Sequence, residues 1–330
     1  MRPRGQAVVV VGASAGGVEA LASFAGSLPR DFPYPVVVVL HVSPTGRSVL
    51  PEILARAGTL PVISPRDGED LVRGHMYVAP PNAHLVLEDS VVRLSQAPRE
   101  NGHRPAIDPS MRSAASEYGS RAVGIVLSGS RDDGTAGLMA IKAAGGVAIV
   151  QDPDEALYPA MPNSAIAHVA VDAVLPISAM AGWIVESGAA TSAPAEEESA
   201  TNPRPASPLE IPASAGEGTR FTCPDCGGVL FERHEGGLVR FQCSVGHVFS
   251  IESLSSAQGE ALEGALWAAV RSLEDRAELL RRMAQRARTG DHARTAASFD
   301  GKADEALQRA QTIRAAIQPA TIDGERVLEA

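Results

Sequence analysis

Three side chains of this sequence could work as a relay for covalent hydrolysis. Ser14 lies in Gly12-Ala13-Ser14-Ala15-Gly16-Gly17, directly after the apolar run Val8–Val11 and before a segment of helical period. Gly12, Ser14 and Gly16 fit the Gly-x-Ser-x-Gly elbow, in which a sharp strand-to-helix turn exposes the serine oxygen beside free backbone N–H groups. Glycine-rich turns after a first strand also hold nucleotides. Here the spacing is G-x-x-x-G-G, and the second strand leads to His41 rather than to an acid that could hold a ribose. On the turn alone, a nucleotide site, a plain structural turn and a nucleophile elbow all stay open.

His41 follows the apolar stretch starting at Val36, so it falls at the carboxyl end of a strand, beside the Ser14 turn. A third strand, Val123–Leu127, runs into Ser128-Gly-Ser-Arg-Asp132-Asp133-Gly134. Three strand ends would then bring Ser, His and Asp to one edge of a sheet, the grouping that activates a serine oxygen. Asp133 is favoured as the acid because Gly134 lets the loop turn tightly after it. Asp132 is the rival, read more simply as a solvated loop or helix-cap residue. His75 and His84 flank the Tyr77 strand and read as structural. His103 precedes a helix and is an open candidate for substrate contact.

A second constellation is separate in sequence. All three cysteines, Cys223, Cys226 and Cys243, fall within 21 residues. An odd, clustered set is a poor disulfide framework and a good metal set, in keeping with a reducing, cytoplasmic location. Cys223-Pro-Asp-Cys226 and Cys243-Ser-Val-Gly-His247 supply four donors for a closed structural zinc. His234 competes with His247 for the fourth place. Four closed ligands leave no open position for catalysis.

The elements that must position these groups follow from periodicity. Short Val/Ile runs at Ala7–Val11, Val36–Val42, Met76–Val78, Val123–Leu127 and Val147–Val150 are apolar on both faces, as buried parallel strands are. Segments of helical period lie between them, and His84–Ser95 alternates as a hairpin. The pattern predicts a doubly wound α/β catalytic domain with a mostly parallel sheet over residues 1–188. Residues 189–218 are rich in Ala, Ser, Thr, Pro and Glu and read as a disordered linker. A zinc-ribbon-like module over 219–250, a helical hairpin over 251–318 and a tail over 319–330 complete the expected organisation. The hairpin rests on two stripes, Leu262 to Leu280 and Phe299 to Ile317, broken at Thr289-Gly290-Asp291.

Composition excludes some classes. The net charge of −10 argues against a nucleic-acid partner, whose binding asks for a basic face. No run approaches the roughly 20 apolar residues of a membrane span, so the chain is not expected to be membrane-embedded.

Several segments together carry a resemblance. "VVVVGASAGGVEAL", "VVVVLHVSP", "DGEDLVRGHMYVAPPNAHL", "NGHRPAIDPSMRSAA", "AVGIVLSGSRDDGTAGLMAIKAAGG" and "MPNSAIAHVAVDAVLPI" run in the order found in the chemotaxis protein-glutamate methylesterases. From residue 6 to about 178 the chain resembles that family's catalytic domain. The resemblance implies a serine esterase that hydrolyses glutamate methyl esters on chemoreceptors to glutamate and methanol. It also implies glutamine deamidation, since amide and ester share a tetrahedral intermediate. Carried over by position, the family triad falls on Ser14, His41 and Asp133. No cofactor for catalysis is implied. The expected partners are methylated cytoplasmic helices of chemoreceptors, and a separate response regulator or other signalling protein. The family's best-known members carry an N-terminal phospho-receiver; with the first strand starting near residue 6, none is expected here. The alternative reading is a signalling adaptor, weakly catalytic or non-catalytic, that binds partners through its zinc and helical parts.

Overall fold

The structure, a computed structural model, describes residues 7–187, 217–235 and 237–317. Almost all of the linker read over 189–218, and all of the tail over 319–330, lies outside the described residues. The chain divides into two compact units, Met1–Leu254 and Ser255–Ala330.

The first unit is built on a seven-stranded parallel sheet. Its strands are β1 (Val8–Ala13), β2 (Val36–Leu40), β3 (Val62–Ile63), β4 (Met76–Val78), β7 (Ala122–Val126), β8 (Val147–Gln151) and β9 (Ala173–Leu175), in the order β3-β4-β2-β1-β7-β8-β9. The paired hairpin β5 (His84–Glu88) and β6 (Val91–Ser95) stands apart as a two-stranded sheet. Helices α1 (Gly17–Ser27), α2 (Leu50–Ala57) and α6 (Ile177–Glu186) and helices α3 (Ile107–Tyr118), α4 (Thr135–Ala143) and α5 (Ala160–His168) complete the layers.

Two cores explain why the strands are apolar on both faces. Val9, Val11, Val36 and Val38 pack with Leu21 and Phe24 of α1 and Ile184 of α6. Val8, Val10, Val37 and Val39 pack on the opposite side with Met111 of α3 and Leu138 of α4. The doubly wound α/β expectation holds. The sequence reading missed β3 and β9, of only two and three residues, because runs that short have no measurable period.

The same unit contains a four-stranded antiparallel ribbon, β10 (Glu217–Thr222), β11 (Val229–Glu235), β12 (Leu238–Cys243) and β13 (Val248–Ser250). The second unit pairs the long helix α7 (Ile251–Thr289), from Ser255 onward, with α8 (Ala293–Ile317). Ala277 and Leu280 meet Ala303 and Ala306, and Val270 meets Ala310 and Ile317, so the two predicted stripes form the helical hairpin's seam. Leu262 is exposed and takes no part in it.

Candidate active site

The strand order reverses between the neighbours β1 and β7: from β1 the sheet grows through β2, β4 and β3 to one edge, and from β7 through β8 and β9 to the other. At such a switch point the loops leaving the strand ends part and leave a crevice. Ser14 follows β1 there. Gly16 turns the chain into α1 at φ +66°, a left-handed conformation that glycine adopts without penalty. The Ser14 amide donates to Ser128 O at 2.9 Å, and Ser128 Oγ donates to Ala15 O at 2.8 Å, so the loop after β7 holds the serine turn. The Ala15 and Gly16 amides have no partner among the described residues.

Register explains His41. Ala13 of β1 pairs with Leu40 of β2, and the next residue on each strand is therefore Ser14 beside His41. His41 Nδ1 lies 3.0 Å from Ser14 Oγ, and His41 Nε2 lies 2.7 Å from Asp133 Oδ2. Asp133 is acceptor-only when ionised, so Nε2 carries the proton and Nδ1 is left to accept from the serine hydroxyl. The three sequence candidates are thus brought together, with Asp133 rather than Asp132 on the histidine.

Asp133 is fully buried and amply supplied with donors. Oδ2 also accepts from the Ile107 amide at 2.7 Å; Oδ1 accepts from the Asp108 amide at 3.2 Å and from Asn101 Nδ2 at 3.0 Å. Burial alone would raise its carboxyl, but His41 and the Ile107 N–H hold it below the usual carboxylate range. The two amides open α3, where a helix start favours an anion. Asp108 returns the arrangement at α4: its Oδ1 accepts from the Gly134 and Gly137 amides at 2.9 and 2.7 Å. Each carboxylate therefore caps the other's helix. Gly134, at φ +97°, makes the tight turn that the sequence reading required after Asp133.

His103 stacks flat on His41, with ring centroids 3.7 Å apart and planes 5° from parallel. Burial, followed by the neighbouring His41, lowers its pKa to about 3, so the ring is neutral wherever the protein is folded at ordinary pH. His84 is buried, with Nε2 donating to Pro98 O and Nδ1 accepting from the Ala106 amide. His75 is half-buried, its Nδ1 2.9 Å from Arg73 O. Asp132 departs from expectation: it is buried, not solvated, and Oδ1 accepts from Ser250 Oγ of the ribbon at 2.7 Å. Sequence reasoning also missed Glu100, Asn101, Asp108 and Arg240. The Asn101-Gly102 pair is a legible turn signal, but nothing local marks Arg240 as a neighbour of residues 132 and 140 positions away.

In the ribbon, Cys223, Cys226, Cys243 and His247 converge, with one donor atom of each within 4.8 Å of the others. Cys226 and Cys243 sulfurs are 3.6 Å apart, and His247 Nδ1 is 3.6 and 3.5 Å from those of Cys223 and Cys243. A tetrahedral zinc about 2.3 Å from each sulfur needs edges of nearly this length, about 3.7 Å. His247 Nε2 faces Asp225 Oδ2 at 3.9 Å, on the side away from the sulfurs. His234 is exposed beside Glu232 and is outside the cluster.

A parallel doubly wound sheet with a Ser–His–Asp chain at its switch point defines an α/β domain of the serine-hydrolase type. The description "CheB methylesterase" matches residues 9–184, just over half of the chain, which therefore belongs to the CheB methylesterase family. A protein-glutamate methylesterase/protein-glutamine glutaminase of Anaeromyxobacter dehalogenans is 42% identical over 170 residues, covering 52% of this chain and 50% of that protein. A putative protein of the same description from Leptospira interrogans is 37% identical over 174 residues, covering 52% of this chain and 90% of its own length. The crystal structure of the Thermotoga maritima CheB methylesterase catalytic domain superposes with a TM-score of 0.53 at 34% identity, over 55% of this chain and 98% of that one. The chain spans about half the length of several curated relatives it matches, the first of these among them.

Proposed function

We propose that this chain hydrolyses protein glutamate methyl esters through Ser14, His41 and Asp133. The observation that carries the reading is the continuous chain Ser14 Oγ–His41 Nδ1, His41 Nε2–Asp133 Oδ2 within a CheB methylesterase domain. Ser14 Oγ attacks the ester carbonyl while His41 Nδ1 takes its proton. Asp133 holds the Nε2–H tautomer and offsets the imidazolium charge. The amides of Ala15 and Gly16 are available to the developing oxyanion. The tetrahedral intermediate expels methoxide, which leaves as methanol with the proton from Nδ1. Water, activated by the same nitrogen, then cleaves the acyl-enzyme to glutamate. A glutamine amide follows the same path with ammonia leaving, which supports a deamidase activity.

The substrates are methylated glutamates on cytoplasmic helices of chemoreceptors, and the site of action is the cytoplasm. Among the described residues no helix is long and apolar enough to cross a membrane. A separate response regulator or another signalling protein is the partner proposed for control. Cys223, Cys226, Cys243 and His247 hold one structural zinc, supported by donor edges of tetrahedral length, and catalysis needs no cofactor. Mass spectrometry of methylated receptor peptides tests the reading. Loss of the methyl group from glutamate with wild-type protein supports it; unchanged peptides alongside bound receptor would favour an adaptor instead.

A further inference from the structure

The ribbon reaches the support of the triad at three points. Its strand β13 is stitched to the loop that carries His103: the Asn101 amide donates to Val248 O at 2.7 Å and the Val248 amide to Arg99 O at 3.3 Å. Asn101 then faces both ways. Its Oδ1 accepts from the Ser250 amide and Ser253 Oγ, and its Nδ2 donates to Asp133 Oδ1 and Asp108 Oδ2. Finally, Arg240 of β12, only 2% exposed, donates through Nη2 to Glu100 Oε1 at 2.6 Å and Asp108 Oδ2 at 3.0 Å.

The charges make Arg240 more than a packing residue. Glu100, Asp108 and Asp133 are buried together, and Arg112 pairs with Glu100 in a two-toothed bridge. Without Arg240, three carboxylates share one guanidinium. Repulsion would then be relieved by moving or protonating Asp108, whose Oδ1 holds the start of α4 directly after Asp133. Arg240 Nε and Nη1 are buried with no partner among the described residues. The side chain thus bears a desolvation cost to bring its one engaged nitrogen to this cluster.

On the triad reading above, we propose that Arg240 is a positioning residue of the esterase, by which the ribbon sets the place of Asp133 through Asp108, Glu100 and Asn101. The ribbon is then part of the catalytic machinery rather than an appendage to it. A single nitrogen makes both of Arg240's contacts, so a lysine ammonium can stand in for it imperfectly, its shorter reach drawing the carboxylates off position.

The test uses the full chain with Arg240→Met and Arg240→Lys, assayed on a p-nitrophenyl ester. Counting sites with a fluorophosphonate that labels Ser14 refers kcat to competent molecules, so partial unfolding cannot imitate the effect. Arg240→Met should lower kcat per site by about ten- to a hundredfold, as loss of a residue supporting an active-site group does, with little change in KM. Arg240→Lys should recover part of this and remain about two- to tenfold below wild type. The downfield proton resonance of His41 Nε2–H on Asp133 should shift in step. If Arg240→Met yields no labelled sites, Arg240→Lys decides alone. Wild-type kcat per site in the variants, with the resonance unmoved, would overturn the proposal. Turnover surviving in Ser14→Ala would instead fault the triad reading itself.

Discussion

Asp133 receives His41 and the start of α3, while its neighbour Asp132 receives a serine hydroxyl from the ribbon. Their substitutions should differ accordingly. Asp133→Asn presents an amide where Oδ2 accepts two N–H groups, and kcat should fall about 10³- to 10⁴-fold by misorienting the histidine. Asp132→Asn should cost about 1 kcal/mol of stability through one altered hydrogen bond and leave kcat within a few-fold. Ester kinetics and urea unfolding on both variants check this; reversed results would exchange the acids. The grouping of Ser14, His41 and Asp133 was legible in the sequence because Ser14 and His41 directly follow strands and Asp133 lies in the loop after a third, and the loops at one end of a parallel sheet share an edge. The burial of Asp132 was not legible, because Ser250 lies 118 residues away.

His103 gives a second residue-scale prediction. Its pKa of about 3 in the fold lies below the ordinary histidine value of about 6.5 in an unfolded chain. Between those values the unfolded state binds a proton that the folded state does not, so stability falls as pH drops from about 6.5. His103→Phe keeps a ring on His41 but cannot titrate. Its unfolding free energy should fall less steeply between pH 6.5 and 4, by up to ~1.4 kcal/mol per pH unit. Parallel curves from urea titrations at pH 7, 6 and 5 would contradict the burial of this ring. Asp133, lowered in the fold, contributes in a different window: its stabilisation is present above about pH 4 and is lost in more acid solution.

At the scale of elements, the exchange of caps between α3 and α4 ties two helix starts to the acid that orients His41. The helices themselves were readable from their apolar spacing; the exchange was not, since Asp108 and Asp133 look like ordinary first-turn and pre-helix acids. The ribbon's donors were likewise readable, as spacing of Cys and His is a local signal. Its placement against Glu100 and Asn101 was not, as those contacts are between residues distant in the chain. Metal analysis should find about one zinc per chain, and Cys223→Ser should remove it. Four closed ligands give the zinc itself no open position for catalysis, so the ligand set alone would leave activity on small esters intact after that loss. With Arg240 and Ser250 in the support of Asp133, kcat on a small ester should instead fall about tenfold or more. Full activity of a zinc-free Cys223→Ser protein would separate ribbon from site.

For the whole molecule, the CheB methylesterase match covers residues 9–184, and the ribbon and helical hairpin lie beyond it. Fold class was legible over the matched part because β1, β2, β4, β7 and β8 are buried on both faces. The helical hairpin was legible from two apolar stripes, of which only Leu262 stays outside the seam. Methanol release from methylated receptor membranes measures most directly what Ser14 does. The full chain should release methanol catalytically, and Ser14→Ala, folded as judged by its unfolding transition, should be slower by about 10⁴- to 10⁶-fold. Substantial methanol release by the folded Ser14→Ala protein would contradict the account.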